Sequence, residues 1–161
     1  MDDAPPRRRV PDWDAYFLGI ATAVAARAKC LRRQVGAVLV IDRRIIATGY
    51  NGAAPGEPDC LEGACPRGLL SYEDVPELGD YDRPGTPGFC IAIHAEVNAL
   101  LFATRDTKGA TAYVTDPPCP GCRKALAAAG IVRAVWPAGE YDRAGLTDWA
   151  ALDRRPDLGS Q

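Results

Sequence analysis

Ile93-His94-Ala95-Glu96-Val97-Asn98-Ala99-Leu100 is the stretch that organises this chain, and Pro118-Cys119-Pro120-Gly121-Cys122 is its counterpart further on. One imidazole and two thiolates supply three corners of a tetrahedral zinc and leave the fourth for water, the arrangement of a catalytic zinc site. Glu96 stands too close to His94 in sequence to be an easy fourth ligand, yet it can reach a water at the open corner. Side chains two residues apart diverge within a helix. The pair therefore works best in a first turn, where both can fold over the N-terminal end.

The rest of the composition narrows the choice. At 161 residues the chain is long enough for one domain with a sizeable core. With 47% hydrophobic and 25% charged residues it has an ordinary globular composition. A net charge of −2 argues against nucleic acid as a partner, which would call for a basic face. No apolar run approaches membrane-spanning length. Arg7-Arg8-Arg9 is followed by Pro11-Asp12-Trp13-Asp14 and not by an apolar signal core, so residues 1–12 are expected to be a flexible tail and the protein cytoplasmic. There are six cysteines and a single histidine. In a reducing compartment a Cys-x-x-Cys pair binds metal or does redox work more often than it forms a disulfide. A Ser-His-Asp triad would compete with the metal for that one histidine and is set aside.

Taken in order, residues 13–30 read as a helix, with Asp12 as its cap and Trp13, Phe17, Ile20, Ala21, Val24, Ala28 and Leu31 near one stripe. Arg27, Arg32 and Arg33 at its end are candidates to meet a phosphate, with solvated arginines as the alternative. Residues 35–41 and 45–50 predict a hairpin turning at Asp42-Arg43-Arg44 and buried on both faces. The following Gly49-Tyr50-Asn51-Gly52 loop offers an amide side chain, and beside the metal pattern Asn51 becomes a candidate sugar ligand. Residues 55–87 are irregular and rich in Gly, Pro, Asp and Glu, a length that needs an explanation inside a compact domain. Cys30, Cys60, Cys65 and Cys90 supply one: a second, closed, structural zinc site that ties residues 55–90 to the first helix, with small buried hydrophobes as the alternative.

From His94 a helix is expected to present Val97, Leu100, Leu101 and Thr104 on one face. Residues 111–115 and 131–136 read as strands around a helix that begins at Pro120 and ends before Gly130. A short helix is expected over 146–152 and a tail over 154–161. Alternating strands and helices, with two helices delivering the metal ligands, imply an α/β fold: a three-layer α/β/α sandwich on a central mixed sheet, in one domain spanning 13–153.

These residues resemble the cytidine deaminase superfamily, and within it the deoxycytidylate deaminases. The resemblance runs from about Trp13 to Trp136. It rests on Gln34-Val35-Gly36-Ala37-Val38, Ile45-Ile46-Ala47-Thr48-Gly49-Tyr50-Asn51-Gly52, the His-Ala-Glu helix, Ala112-Tyr113-Val114-Thr115 and Pro118-Cys119-Pro120-Gly121-Cys122. Two departures lie near the expected substrate position: Ile91-Ala92 where Arg-Thr is common, and Asp116-Pro117 before the Pro-Cys pair.

The resemblance implies a cytidine deaminase-like sandwich that hydrolyses a cytosine nucleotide, dCMP to dUMP and ammonia. It implies Zn2+ on His94, Cys119 and Cys122, and Glu96 as the proton shuttle. The backbone amide of Ala95 would orient the substrate carbonyl and Asn51 would hold the deoxyribose hydroxyl. A second Zn2+ on the four remaining cysteines is also implied, as is a homo-oligomer acting on a small-molecule nucleotide. The rival readings are a deaminase of another small nucleotide or riboflavin-pathway pyrimidine, a nucleic-acid-editing deaminase, and a non-enzymatic zinc module. The last has no use for a carboxylate beside an open metal position.

Overall fold

The computed structural model describes residues 7–75 and 81–150. Five strands form one sheet in the order β2-β1-β3-β4-β5. They are β1 (Gly36–Ile41), β2 (Arg44–Tyr50), β3 (Thr111–Val114), β4 (Arg133–Trp136) and β5 (Gly139–Asp142). Only β3 and β4 run parallel; the other neighbours are antiparallel, so the sheet is mixed. The period of two along β1 splits the core into two layers. Val38 and Val40 face α1 (Trp13–Ala25) together with Phe17, Ala21, Tyr113 and Val135. Ala37 and Leu39 face α2 (Ala95–Leu101) and α3 (Pro120–Ala128), packed with Ala99, Val114 and Leu126. The expected three-layer α/β/α arrangement is what the chain adopts.

Two glycines set how closely the helices lie on the sheet. A Cβ at Gly36 would stand 2.1 Å from the Ala21 carbonyl oxygen, and one at Gly49 would stand 2.4 Å from the Ala99 nitrogen. Both collisions are with backbone, so any side chain there displaces a whole helix. Gly49 is thus what lets α2, the helix that follows His94, rest on β2.

Several elements differ from expectation. Helix α1 stops at Ala25 and not at Cys30, because the chain turns through Ala28 so that Lys29 can donate its N–H to the Asn51 carbonyl at 3.2 Å. Trp13 and Leu31, placed on the buried stripe, are half exposed at 47% and 51%; the burial falls on Phe17, Ala21 and Ala25. The hairpin is buried on both faces only along β1. Strand β2 is the sheet edge, and Ile45 and Thr48 reach solvent. Its turn is tighter than expected: Asp42 and Arg43 alone make it, both at positive φ (50° and 60°), and Arg44 already belongs to β2. That is the backbone twist a two-residue hairpin demands.

On α2 the buried side chains are Ala95, Glu96 and Ala99, whereas Leu101 is 64% exposed. Of the expected face, Leu100 packs against the core beside Ala95 and Ala99 and Thr104 bonds the Ile46 carbonyl of β2, while small residues take the closest approach, where Gly49 meets the α2 backbone. Strand β4 begins at Arg133, two residues later than expected, and β5 was not anticipated at all. The described part of the helix expected over 146–152 begins earlier, as α4 (Arg143–Leu146), capped by Asp142, which accepts the Gly145 N–H at 2.7 Å; residues 151 and 152 lie outside the described residues. The tail expected over 154–161, like residues 1–6 of the N-terminal tail, lies outside the described residues. Across 55–75 and 81–90 the only helical element among the described residues is a 3₁₀ turn at Arg67–Leu69.

Candidate active site

The fold delivers the site residues at the first turns of two helices. His94 occupies the N-cap position of α2, and Cys119 that of α3, where Pro120 fits the first helical position without losing a hydrogen bond. His94 is held from behind: Ile93 and Gly52 exchange two backbone hydrogen bonds, at 2.8 and 3.2 Å, pinning it to the Gly-Tyr-Asn-Gly loop. The Asn98 side-chain amide reinforces this by donating to the Tyr50 carbonyl at 2.8 Å. Strand β3 leads into Cys119, which accepts the Cys122 N–H on its sulfur at 3.4 Å.

The result is a compact trio. The Nδ1 of His94 lies 3.5 Å from the Cys119 sulfur and 3.3 Å from the Cys122 sulfur. All three ligand-type atoms fall within 4.8 Å of one another, the single such group among the described residues. A tetrahedral zinc with bonds of about 2.3 Å to sulfur and about 2.1 Å to nitrogen requires a sulfur–nitrogen edge of about 3.6 Å, so the trio fits that ion. The hydrogen bond from Cys122 holds the Cys119 thiol down to about 4, in the thiolate form that a metal takes. His94 is raised, first by its hydrogen bond with Cys119. Cys122 is pushed up, first by the same Cys119 partner and then by burial.

Glu96 follows at the second position of α2 and is 4% exposed. Burial raises its carboxyl above the usual range, opposed by the field of His94 and a hydrogen bond with Cys122. A carboxyl raised in this way both takes and returns protons, which suits a shuttle. Glu96, His94, Cys119 and Ala95 line one cavity of about 550 Å³. At the first turn of α2 the Ala95 N–H has no intrahelical acceptor and is free for a ligand.

The other candidates are distributed unevenly. Asn51 lines the cavity and is buried, 8% exposed. Its side-chain oxygen accepts the Val35 N–H, and its nitrogen donates to the Arg33 carbonyl, both at 2.8 Å. The amide therefore stitches two loops together and keeps one N–H for a ligand. Arg33 reaches the cavity, paired with Asp116 at 3.3 Å. Arg27 is exposed in the turn after α1 and is not brought to the cavity.

Cys30, Cys60, Cys65 and Cys90 line the same cavity, unpaired by disulfides, with the Cys65 and Cys90 sulfurs 3.8 Å apart. They are spaced more widely as a set than the His94 trio. Sequence reasoning missed Tyr81, whose ring meets His94 edge-on at 5.8 Å, and Arg67, whose guanidinium stacks over Tyr81 at 4.6 Å. No periodicity marks either one in that Gly- and Pro-rich stretch.

A sequence model of the cytidine and deoxycytidylate deaminase zinc-binding region matches residues 11–138. The chain is 53% identical over 128 residues to the deoxycytidylate deaminase of Mycobacterium phage D29, covering 79% of this chain and 95% of that protein. It is 40% identical over 133 residues to the deoxycytidylate deaminase of Schizosaccharomyces pombe, covering 81% of this chain but 38% of that longer protein. The crystal structure of dCMP deaminase from the cyanophage S-TIM5 shares the fold, with a TM-score of 0.58 at 23% identity over 80% of this chain and 84% of that one. The trio, the carboxyl beside it and the matched region agree: this chain belongs to the cytidine and deoxycytidylate deaminase zinc-binding family.

Proposed function

We propose that the chain removes the 4-amino group of a cytosine nucleotide by hydrolysis, dCMP giving dUMP and ammonia. The observation that carries this reading is a buried carboxyl, Glu96, set against a His-Cys-Cys trio inside one cavity. The names of the phage and yeast relatives support dCMP over other cytosine compounds. His94, Cys119 and Cys122 would hold zinc, which supplies acidity to a water molecule at neutral pH. Glu96 takes one proton from that water as its oxygen adds to C4 and gives it to ring N3; it then takes the second proton from the C4 hydroxyl and gives it to the amine as the C4–N bond breaks and ammonia leaves. The Ala95 N–H orients the base carbonyl, and the remaining Asn51 N–H meets the sugar. Ammonia release from dCMP, CMP, deoxycytidine and cytosine tests the assignment. The highest kcat/KM is expected with dCMP, and no release from any of the four would remove it.

We also infer a second zinc on Cys30, Cys60, Cys65 and Cys90. The 3.8 Å between the Cys65 and Cys90 sulfurs matches the edge of a tetrahedral thiolate site, about 3.8 Å for bonds of about 2.3 Å. The Leu31 N–H points at the Cys60 sulfur and the Arg32 N–H at the Cys30 sulfur, a pattern that stabilises thiolates. Elemental analysis should give about two zinc ions per chain, and Cys60→Ala about one. Asp59, paired with Lys29 at 2.9 Å, still anchors the excursion near its start, so the variant should keep its fold while 61–90 becomes open to proteolysis. One zinc in both proteins, with identical proteolysis, would make these four residues ordinary thiols.

Six unpaired cysteines suit a reducing compartment, and we place the protein in the cytoplasm. Among the described residues no helix is long and apolar enough to cross a membrane. The adjacent exposed Leu101 and Phe102, at 64% and 62%, support a homo-oligomer that covers the end of α2. Light scattering at a monomer mass would contradict it.

A further inference from the structure

Arg67 lines the cavity that holds His94 and Glu96, and its Nη1 is buried with no hydrogen-bond partner among the described residues. The backbone beneath it is committed. Its N–H donates to the Phe89 carbonyl at 3.1 Å, and its carbonyl accepts from Arg32 Nε at 2.9 Å. The side chain is held from the other side by the Tyr81 ring, and Tyr81 in turn abuts His94.

The two neighbouring arginines of the cavity are already occupied. Arg32 bonds the Arg67 and Leu70 carbonyls and lies over Tyr72, and Arg33 pairs with Asp116. Arg67 alone of the three combines cavity lining with a buried, unspent donor. A buried guanidinium nitrogen without an acceptor is unfavourable in a closed fold, so the arrangement makes sense where an anion completes it. The planar fork of arginine matches phosphate oxygens in two-point contact. One aromatic ring separates Arg67 from His94, which leaves room for a sugar between a phosphate and a reacting base.

Building on the nucleotide deaminase reading, we propose that Arg67 receives the 5′-phosphate of the substrate. It thereby makes the site select a nucleotide over the corresponding nucleoside. Tyr81, stacked between Arg67 and His94, would hold the guanidinium in place and flank the sugar.

The test uses zinc-loaded full-length protein, wild type and Arg67→Gln, with two readouts. In turnover, Arg67→Gln should lower kcat/KM for dCMP by about 10- to 150-fold, the range for one charged hydrogen-bonding group, mainly through KM. Deoxycytidine turnover should stay within about threefold of wild type. In calorimetry, inorganic phosphate should bind the variant at least about tenfold more weakly at equal zinc content. Equal loss with dCMP and deoxycytidine, or unchanged phosphate affinity, would overturn the proposal. If Arg67→Gln loses zinc or fold, Arg67→Lys decides: it keeps the charge but not the fork, so its phosphate affinity should fall severalfold, and wild-type affinity would overturn the assignment. Wild-type protein that turns over neither compound would refute the deaminase reading, while the phosphate titration would still decide the role of Arg67.

Discussion

Glu96→Gln is expected to retain its fold and its zinc while losing at least about 100-fold in turnover of dCMP. The side chain is 4% exposed, and glutamine has nearly the same volume, so the packing around α2 survives. The amide cannot accept a proton from water or pass one to ring N3, which removes both halves of the shuttle. Zinc should remain because the compact ligand-type group is His94, Cys119 and Cys122, and Glu96 is outside it. Steady-state ammonia release with parallel elemental analysis checks this. Turnover above about a tenth of wild type would contradict the assigned role, and loss of zinc would mean that the carboxyl is a ligand.

Cys122→Ala should be the more destructive change. Cys122 is 2% exposed and its sulfur lies 3.3 Å from His94 Nδ1, so its removal opens one corner of the trio from inside. Zinc at this site should be lost, and turnover should fall below detection, because no other residue of the trio can acidify water alone. The change also removes a hydrogen-bonding neighbour of Glu96, one of the contacts that oppose the effect of burial on that carboxyl. Cys60→Ala should behave differently, losing metal while keeping the trio and α2 intact. Zinc content, melting temperature and turnover of the two variants side by side separate the two outcomes. Turnover of Cys122→Ala near wild type would remove this cysteine from the site.

The parts of the fold that were readable from residues are those where a local rule and the tertiary structure agree. Strand β1 is apolar throughout because both its faces are covered, and α3 has Pro at its start and Gly130 after its end. The trio and Glu96 were legible because chemistry fixes residue type and spacing at an open zinc site. Length and partner were less legible. Helix α1 ends early because of a backbone bond to Asn51, a contact made across the fold and invisible in local sequence. Strand β5, Gly139–Asp142, is short, edge-placed and half exposed, so neither its composition nor its alternation marks it.

The buried face of α2 was only partly assigned: Leu100 packs in the core as expected, but the closest approach falls at Ala95 and Ala99, set by Gly49 from about a third of the chain away. Asn51 was found by its place in a glycine-punctuated loop, but its burial was not, since its two side-chain bonds go to the loop before β1. Arg27 was chosen for its charge and its position near the end of a helix, and the turn after Ala25 carries it away from the cavity. Arg67 and Tyr81 gain significance only once the excursion folds over His94.

The central claim is that a trio-held zinc and Glu96 together hydrolyse the cytosine amine. Zinc-loaded protein turning over dCMP in 18O-labelled water reads this directly. The account predicts one ammonia per dUMP, with the solvent oxygen at C4, and neither product from Glu96→Gln at the same zinc content. Fully zinc-loaded wild-type protein that releases no ammonia, or dUMP formed without solvent oxygen, would contradict it.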